Sequence, residues 1–319
     1  MISNEISKAV QLLNQNEVIG FPTETVYGLA GNAFSETAIS KIYSIKKRPS
    51  FNPLIVHIKN KEQMNDIAQE IPDIAYKLAN EFWPGPLTLI LKKQPHISNL
   101  ITANKDTVAI RMPNHPVALE LLNQLSYPLV APSANPYTAI SPTKAIQVQN
   151  YFPNEVQLVL EGGPCSAGVE STIIGFENNE TIVYRLGAIA LEDIQKVTGA
   201  IRVLNKNNKT PKAPGMTLKH YAPTTTLVFT QNVSEAITLH TSKKIGLLLF
   251  NTPQPKIDSA LQIVLSPEND LKIAAANLYN ALHELDNRNL DIIIAERFPD
   301  YGLGKTINDR LDRATKTEH

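Results

Sequence analysis

The sequence is poor in cysteine and has no excess of charge. Its 319 residues include one cysteine, which excludes an internal disulfide framework and any zinc or iron–sulfur site built from several cysteines. Thirty basic residues balance thirty acidic ones, so the whole chain is not a polycation that binds nucleic acid by charge alone. No apolar run approaches the ~18 residues that span a bilayer, and residues 1–17 lack the apolar core of a signal peptide. We expect a cytoplasmic enzyme that is not associated with a membrane.

Several catalytic motifs are also missing. The sequence contains no GxxxxGK[ST] phosphate loop, and its histidines show neither the HxH nor the HExxH spacing of a catalytic zinc site. We therefore expect no catalytic zinc bound by the protein, and we assign no residue as a metal ligand. The lone Cys165 has no identifiable base, and we interpret it as a small buried residue rather than a nucleophile.

The apolar pattern predicts two α/β units. In the first two hundred residues, short apolar runs outnumber helical periods, which indicates a twisted mixed sheet rather than a strict βαβ repeat. Residues 205–226 have no apolar period and carry three prolines, which is typical of a linker. Beyond them, strands alternate with helices, as in a small doubly wound parallel sheet. The predicted domains are 1–204 and 227–319, joined by the linker 205–226.

The spacing of apolar residues predicts the individual strands and helices. The predicted strands are 18–21, 54–58, 87–91, 108–112, 129–131, 156–160, 172–176, 182–185, 227–230, 245–250, 263–265 and 292–295. The predicted helices are 37–47, 74–82, 116–125, 191–197, 234–240, 271–286 and 306–314.

A basic turn is the first candidate for a site. Residues 41–61 carry six basic side chains and no acidic one, and by composition alone a solvated helix face explains them equally well. The end of this helix, however, enters a turn flanked by two prolines. Backbone N–H groups beside fixed cations in such a turn suit a polyphosphate. The polar residues of the turn are Lys46, Arg48, Ser50 and Asn52.

Polar residues also collect at the ends of other predicted strands. The loop 21–28 contains two hydroxyls, a carboxylate and a phenol, more than a structural turn requires. Arg111 lies in a short apolar strand, where burial is costly unless the guanidinium meets an anion. His57 ends another strand, where an ordinary core histidine is the safer interpretation, and it remains a candidate only because it lies beside the basic turn. Helix capping alone accounts well for Ser141.

Together these segments resemble one enzyme family, the YrdC/TsaC family of threonylcarbamoyl-AMP synthases. The resemblance rests on seven motifs in order over residues 1 to about 200, and on two motifs of the long form that adds a C-terminal domain. The motifs are FPTETVYGL, KxR…SxN, FWPGPLT, VAIRMP, APSAN, GVESTI and YRLG, followed by KHYAP and LDIIIAERFPDYGLGKTINDRLDRA.

The resemblance implies a fold and a reaction. The fold would be a twisted α/β sheet around a positively charged cavity, with a second, smaller Rossmann-like domain. The enzyme would condense L-threonine, bicarbonate and ATP into threonylcarbamoyl-AMP and pyrophosphate, with Mg²⁺ bound through the phosphates. Partner proteins would then transfer the threonylcarbamoyl group to adenosine 37 of tRNAs that read ANN codons, without a stable nucleic-acid complex of this chain.

The resemblance also assigns residues. Lys46 and Arg48 would be catalytic, and Tyr221 would lie in a lid, formed by the linker, that covers the nucleotide. The ATP-binding residues would be Arg48, Ser50, Asn52, Thr107, Ser133, Ser141, Arg185 and Tyr221. The threonine-binding residues would be Thr25, His57, Arg111, Ala131 and Ser171.

Two other functions compete with this one. An RNA-binding module could use a concave basic surface, but the zero net charge and the lack of a basic stripe with interleaved aromatics disfavour it. A carbamoyl transferase of the hydrogenase-maturation type shares this sheet, but such proteins carry zinc-finger cysteines, which a single cysteine excludes.

Overall fold

The computed structural model describes residues 1–178, 180–204, 220–255 and 257–316, which form two sheets flanked by helices. The strands of the first sheet are β1 (Ile2–Ser3), β2 (Ile19–Phe21), β3 (Gly28–Asn32), β4 (Ile55–His57), β5 (Ala68–Gln69), β6 (Leu87–Lys93), β7 (Thr107–Arg111), β8 (Leu129–Val130), β9 (Val159–Leu160), β10 (Thr172–Glu177), β11 (Glu180–Arg185) and β12 (Ile201–Val203). Those of the second are β13 (Thr226–Thr230), β14 (Ile245–Leu249), β15 (Gln262–Val264) and β16 (Ile292–Glu296).

The helices lie between these strands. They are α1 (Ile6–Asn14), α2 (Glu36–Lys46), α3 (Met64–Ile67), α4 (Asp73–Phe82), α5 (Asn99–Thr102), α6 (Pro116–Gln124), α7 (Ala145–Tyr151), α8 (Leu191–Thr198), α9 (Val233–Leu239), α10 (Leu271–Asp286) and α11 (Leu303–Ala314), with a 3₁₀ turn at Ser259–Leu261. Among the helices of the described ranges, none combines the length and the apolar character that a membrane span needs.

The first sheet is mixed and has twelve strands. Their order is β1-β9-β2-β3-β8-β4-β7-β6-β10-β11-β12, and β5 pairs with β6. One face of the central strands packs against the helices and forms the main core, in which Val56 and Ile110 are fully buried. Because side chains alternate along a strand, their neighbours His57 and Arg111 point to the opposite face. The register of the parallel pair β4 and β7 sets His57 directly beside Arg111.

That opposite face carries an apolar strip as well as polar residues. The strip, as we use the term, is the cluster of Ile55, Ile90, Ala109, Ile173, Ile182 and Tyr184. It runs across β4, β7, β6, β10 and β11, and Leu204 packs against it. The first sheet therefore has one face buried under helices and one face on which ligands can lie.

The second sheet is parallel throughout, in the order β13-β16-β14-β15. Residues 220–316, which we call the C-terminal region, share a hydrophobic cluster with the first sheet. Val26, Ile140 and Val169 pack in it with Tyr221 and Tyr279. The two sheets thus meet across an apolar contact, at which α10 and α11 approach the loops of the first sheet.

The predicted fold class, a twisted mixed sheet with a smaller parallel sheet, is confirmed. The helix predicted over 271–286 has those bounds in the structure, and the strands predicted after residue 226 are all present. The periods did not predict β3, whose glycines give no apolar signal, nor the short strands β1, β5 and β12. Helix α11 begins at Leu303, three residues before its predicted start. Of the predicted linker, residues 205–219 lie outside the described residues.

Candidate active site

A small cavity opens on the ligand face of the first sheet, next to the C-terminal region. Most of the residues predicted for the site line it. These are Thr25, Arg48, His57, Arg111, Ala131, Ser133, Ser171, Arg185 and Tyr221. The other lining residues are Thr23, Val26, Gly28, Ile55, Pro132, Glu170 and His220.

Arg111 is buried, and its guanidinium contacts polar side chains. Its Nη1 donates to Thr25 Oγ1 over 2.8 Å, and its Nη2 lies 2.8 Å from Glu24 Oε2 as an ion pair. Thr25 is held in turn by Thr23, whose hydroxyl accepts from the Thr25 backbone N–H over 3.2 Å. This turn explains the density of polar residues in the loop 21–28: its hydroxyls fix the loop and satisfy the arginine.

His57 is neutral beside Arg111. Burial and the neighbouring guanidinium lower the pKa of His57 to about 3. Its Nδ1 is 3.2 Å from the Ile55 carbonyl oxygen, and since a carbonyl only accepts, Nδ1 carries the proton. The other ring nitrogen, Nε2, is therefore a hydrogen-bond acceptor, which can receive a donor from a bound molecule.

Arg185 and Ser171 form a second polar group on the same face. Arg185 donates from Nε and Nη2 to the Ser171 carbonyl over 3.2 and 2.9 Å, and Nη2 also donates to Ser171 Oγ over 3.1 Å. Ser171 Oγ shares a 2.7 Å hydrogen bond with Thr88 Oγ1. Burial lowers the pKa of Arg185, but an arginine remains charged at neutral pH.

Arg48 is the residue of the basic turn that reaches the cavity. Its Nε and Nη2 donate to the carbonyls of Asn52 and Pro53 over 3.1 and 2.9 Å, so the side chain folds back on its own turn. Burial lowers the pKa of Arg48 to about 10, which still leaves it cationic at neutral pH. Together with Arg111 and Arg185 it makes the cavity positive, because Glu170 is the one carboxylate in the lining of the described residues.

Lys46 has a different position from the one expected. Its ammonium donates to the Ser133 carbonyl over 2.5 Å and to the Asn135 carbonyl, and the residue is 1% exposed. Burial and the nearby Arg48 lower the pKa of Lys46 well below its ordinary value. Lys46 therefore lies beneath the loop 133–135 rather than in the lining, and it holds that loop against the cavity.

Four other expected residues do not line the cavity either. Ser50 is exposed on the turn, and Asn52 is buried with no side-chain hydrogen bond among the described residues. Ser141 is fully buried, and its hydroxyl donates to Glu170 Oε1 over 2.7 Å. Thr107 lines a separate cavity at the far end of the apolar strip, with Ile90 and Tyr184. It shares a face with Arg111, but four residues of strand put it ~13 Å away.

The C-terminal region contributes residues that the sequence reasoning did not assign. Arg310 is 1% exposed, and its Nε donates to Glu170 Oε2 over 2.8 Å. Tyr279 donates to the same oxygen over 2.9 Å. Glu24 and Glu170 stand inside recognised motifs, so their place in the sequence was a usable signal. Arg310 also lies inside a recognised motif, that of residues 290–314, but its charge pattern on α11 resembles an exposed helix face and gave no sign of burial.

His220 and Tyr221 enter the cavity directly after the undescribed residues. Tyr221 is 1% exposed, and its ring stacks on Tyr279 with 5.7 Å between the centroids. The Tyr221 hydroxyl has no hydrogen-bond partner among the described residues. Burial and four surrounding cations lower the pKa of His220 well below its ordinary value, so this imidazole is neutral. A backbone hydrogen bond of 2.9 Å, from Ala222 N to the Thr138 carbonyl, fixes the segment to the first sheet.

Neither a metal cluster nor a cysteine nucleophile stands out in the site. In the part of the chain that the structure describes, no group of three or more His, Cys, Asp or Glu residues could hold a metal ion. Cys165 is 6% exposed, and burial raises the pKa of its thiol. A buried, protonated thiol is a poor nucleophile, which agrees with its interpretation as a core residue.

Comparison with known proteins identifies relatives along the whole chain. A family model described as telomere recombination, shared by Sua5, YciO and YrdC proteins, matches residues 11–187, and the model of the threonylcarbamoyl-AMP synthase C-terminal domain matches residues 189–315. The threonylcarbamoyl-AMP synthase of Bacillus subtilis is 41% identical over 97% of this chain and 92% of its own length. That of Pyrococcus abyssi is 38% identical over 98% and 94%. The crystal structure of P. abyssi Sua5 complexed with L-threonine has a TM-score of 0.90 and 37% identity, covering 97% of this chain and 94% of that one.

Proposed function

Because the chain belongs to the Sua5, YciO and YrdC family and is a threonylcarbamoyl-AMP synthase, we propose that the cavity described above is where L-threonine, bicarbonate and ATP react. The products are threonylcarbamoyl-AMP and pyrophosphate. The observation that carries the assignment is the meeting of Arg48, Arg111 and Arg185 with a neutral histidine in one cavity. An RNA-binding module is not favoured, since the chain matches threonylcarbamoyl-AMP synthases over nearly their full length.

Threonine binds at Arg111 and His57 in this proposal. Arg111 has five N–H donors, of which three meet Gly85, Thr25 and Glu24, and the other two can pair with the threonine carboxylate. The acceptor nitrogen of His57 receives a hydrogen bond from the substrate amine or hydroxyl. Thr25, Ala131 and Ser171 complete the threonine site as the family motifs imply. P. abyssi Sua5, whose structure was solved with L-threonine, supports this half of the proposal by its similarity.

The triphosphate of ATP lies toward Arg48, Arg185, Ser133 and Tyr221. Lys46, Ser141 and Asn52 support this end from below the lining: Lys46 holds the backbone of the loop 133–135, and Ser141 holds Glu170. The adenosine follows the apolar strip toward Thr107, because a flat base gains from covering apolar side chains. This path gives Thr107 a part in nucleotide binding despite its distance from Arg111.

The reaction needs no protein nucleophile. The threonine amine attacks bicarbonate carbon to form a carbamate, with loss of water, and a carbamate oxygen then attacks the α-phosphorus while pyrophosphate leaves. Arg48 and Arg185 are preformed charges that offset the negative charge developing on the phosphates. Arg111 keeps threonine in place and Lys46 keeps the loop 133–135 in place, and such positioning removes much of the entropic barrier.

Mg²⁺ enters with the nucleotide in this proposal. Both carboxylates near the cavity already have cationic or hydroxyl partners, Glu24 with Arg111 and Glu170 with Arg310. Few protein oxygens therefore remain for a metal, which fits an ion coordinated mainly by phosphates and water. When bound, Mg²⁺ would neutralise phosphate charge.

We also propose how the domains of the chain are arranged along the sequence and which proteins receive its product. We infer a catalytic domain over 1–204, a linker and lid over 205–226 and a smaller domain over 227–319. Support for the lid comes from Tyr221, which lines the cavity. The threonylcarbamoyl group passes to a transfer machinery that modifies adenosine 37 of tRNAs reading ANN codons. A cytoplasmic location fits an enzyme that uses ATP for tRNA modification.

Direct detection of the product tests the function. Purified chain is incubated with ATP, L-threonine and bicarbonate, and threonylcarbamoyl-AMP is measured by mass spectrometry. We expect the product only when all three substrates are present, and its absence from the complete mixture would refute the function. Arg111→Gln should abolish most of the signal, whereas Arg202→Gln, which removes a half-exposed arginine from the same sheet, should not.

A further inference from the structure

Glu170 is the point where the first sheet and the C-terminal region meet in the cavity. It precedes β10 and lines the cavity, yet it is 6% exposed. Its two carboxylate oxygens accept three side-chain hydrogen bonds, one from the first region and two from the C-terminal region. The donors are Ser141, Tyr279 and Arg310.

Arg310 is the cation that offsets the charge of the buried Glu170 carboxylate. Its Nε binds Glu170, its Nη1 donates to Asp309 Oδ2 over 2.7 Å, and its Nη2 donates to the Leu186 carbonyl over 2.6 Å. Its guanidinium carbon also lies 4.8 Å from the centre of the Tyr221 ring. One side chain of α11 thus contacts both a cavity carboxylate and a cavity tyrosine.

The Glu170–Arg310 pair affects nucleotide binding through its charge. Burial raises the pKa of Glu170, but Arg310 and Arg185 outweigh it and lower that pKa below its ordinary value, so the side chain is an anion. A buried anion without its cation would repel phosphates in the same cavity.

We propose that Arg310 is a positioning residue for the nucleotide, supplied by the C-terminal region. By neutralising Glu170 and by holding the face of Tyr221, it keeps the phosphate end of the cavity ready for ATP. This inference rests on the proposed function of the cavity. It gives the C-terminal region a role inside the active site rather than that of an appended domain.

The test compares three substitutions on one helix. Arg310→Gln should raise the KM for ATP by about tenfold or more, because one partner of a buried ion pair is removed, and should raise the KM for threonine less. Arg310→Lys should fall between this variant and the wild type. Lys305→Gln is the matched control: Lys305 binds Glu192 of α8 over 2.9 Å across the same contact but outside the cavity, and it should not change either KM.

A second substitution separates charge from mere packing. In the Arg310→Gln protein, Glu170→Gln removes the unpaired charge, and we expect it to restore much of the affinity for ATP, measured by calorimetric titration well below the melting temperature. An unchanged KM for ATP in Arg310→Gln overturns the inference. If that protein does not fold, an unchanged KM in Arg310→Lys does so, and an equal effect of Lys305→Gln does so as well. Failure of the proposed function shows separately, since the wild type then makes no product.

Discussion

Tyr221→Phe separates the stability of the cavity from its affinity for ATP. The substitution removes one oxygen and keeps the ring, which stacks on Tyr279 and lies under Arg310. That oxygen is buried and has no hydrogen-bond partner among the described residues. The phenylalanine variant therefore loses no hydrogen bond that the described residues make in the unliganded protein.

The two expected effects have opposite signs. A buried polar group without a partner costs ~1–3 kcal/mol, so the free energy of unfolding of Tyr221→Phe should be equal to that of the wild type or higher by up to that amount. If the hydroxyl donates to a phosphate when ATP binds, its loss costs ~1.5–3 kcal/mol. This corresponds to a Kd for ATP weaker by roughly 10- to 100-fold.

The assay pairs denaturant unfolding with calorimetric titration of ATP. Tyr76→Phe is the control, since Tyr76 is 38% exposed and donates to Asn65 far from the cavity; it should leave the Kd unchanged. A Tyr221→Phe protein that binds ATP as well as the wild type, or that unfolds more easily, refutes the reasoning. Alanine is less informative here, because it would open a cavity at a fully buried ring and cost ~3–5 kcal/mol.

The other predictions concern the remaining parts of the cavity. Arg48→Ala should lower kcat by about two orders of magnitude, since a preformed cation near a reacting phosphate contributes several kcal/mol; an unchanged rate in a folded variant, followed by mass spectrometry, would contradict this role. L-2-Aminobutyrate, which lacks the threonine hydroxyl, should have a far lower kcat/KM than threonine, because a site built around a hydroxyl rejects analogues without it; comparable values would argue against the proposed threonine site. His57 takes up a proton more readily in the unfolded chain, at its ordinary pKa of 6.5, than in the fold, where the pKa is about 3. Stability should therefore fall as the pH drops between these values, by ~1.4 kcal/mol per unit from this group, and denaturant unfolding of His57→Gln should show a flatter pH dependence.

The sequence predicted those parts of the fold that local pattern determines. The helix over 271–286 carries its own apolar period and a capping aspartate at Asp270, which accepts from the N–H groups of Lys272 and Ile273. Strand β3, with the sequence GLAGN, becomes a strand only by pairing with β2 and β8. Such pairing between distant segments cannot be predicted from a local stretch of about ten residues.

The same distinction applies to the site. Arg111 could be singled out because an arginine in a short apolar strand needs an anionic partner, and the structure has Glu24 beside it. Arg310 lies in the recognised motif over residues 290–314, but that motif is rich in charges, and charge alone does not distinguish Arg310 from an exposed neighbour such as Lys316. Its burial depends on Glu170, 140 residues earlier in the chain. The motif marks the segment, and the structure shows which of its charged residues is buried.

The state of Cys165 makes the molecule convenient for optical work. Thiol-reactive dyes attack the thiolate, and burial both hides this sulfur and raises its pKa. As it is the one cysteine in the sequence, the native chain should take up almost no maleimide while folded. Cysteines introduced at Phe34 and Leu239, which are 51% and 73% exposed on the two regions, would then carry a donor and an acceptor dye without background. The distance between the two regions could be followed in single molecules as ATP and threonine are added.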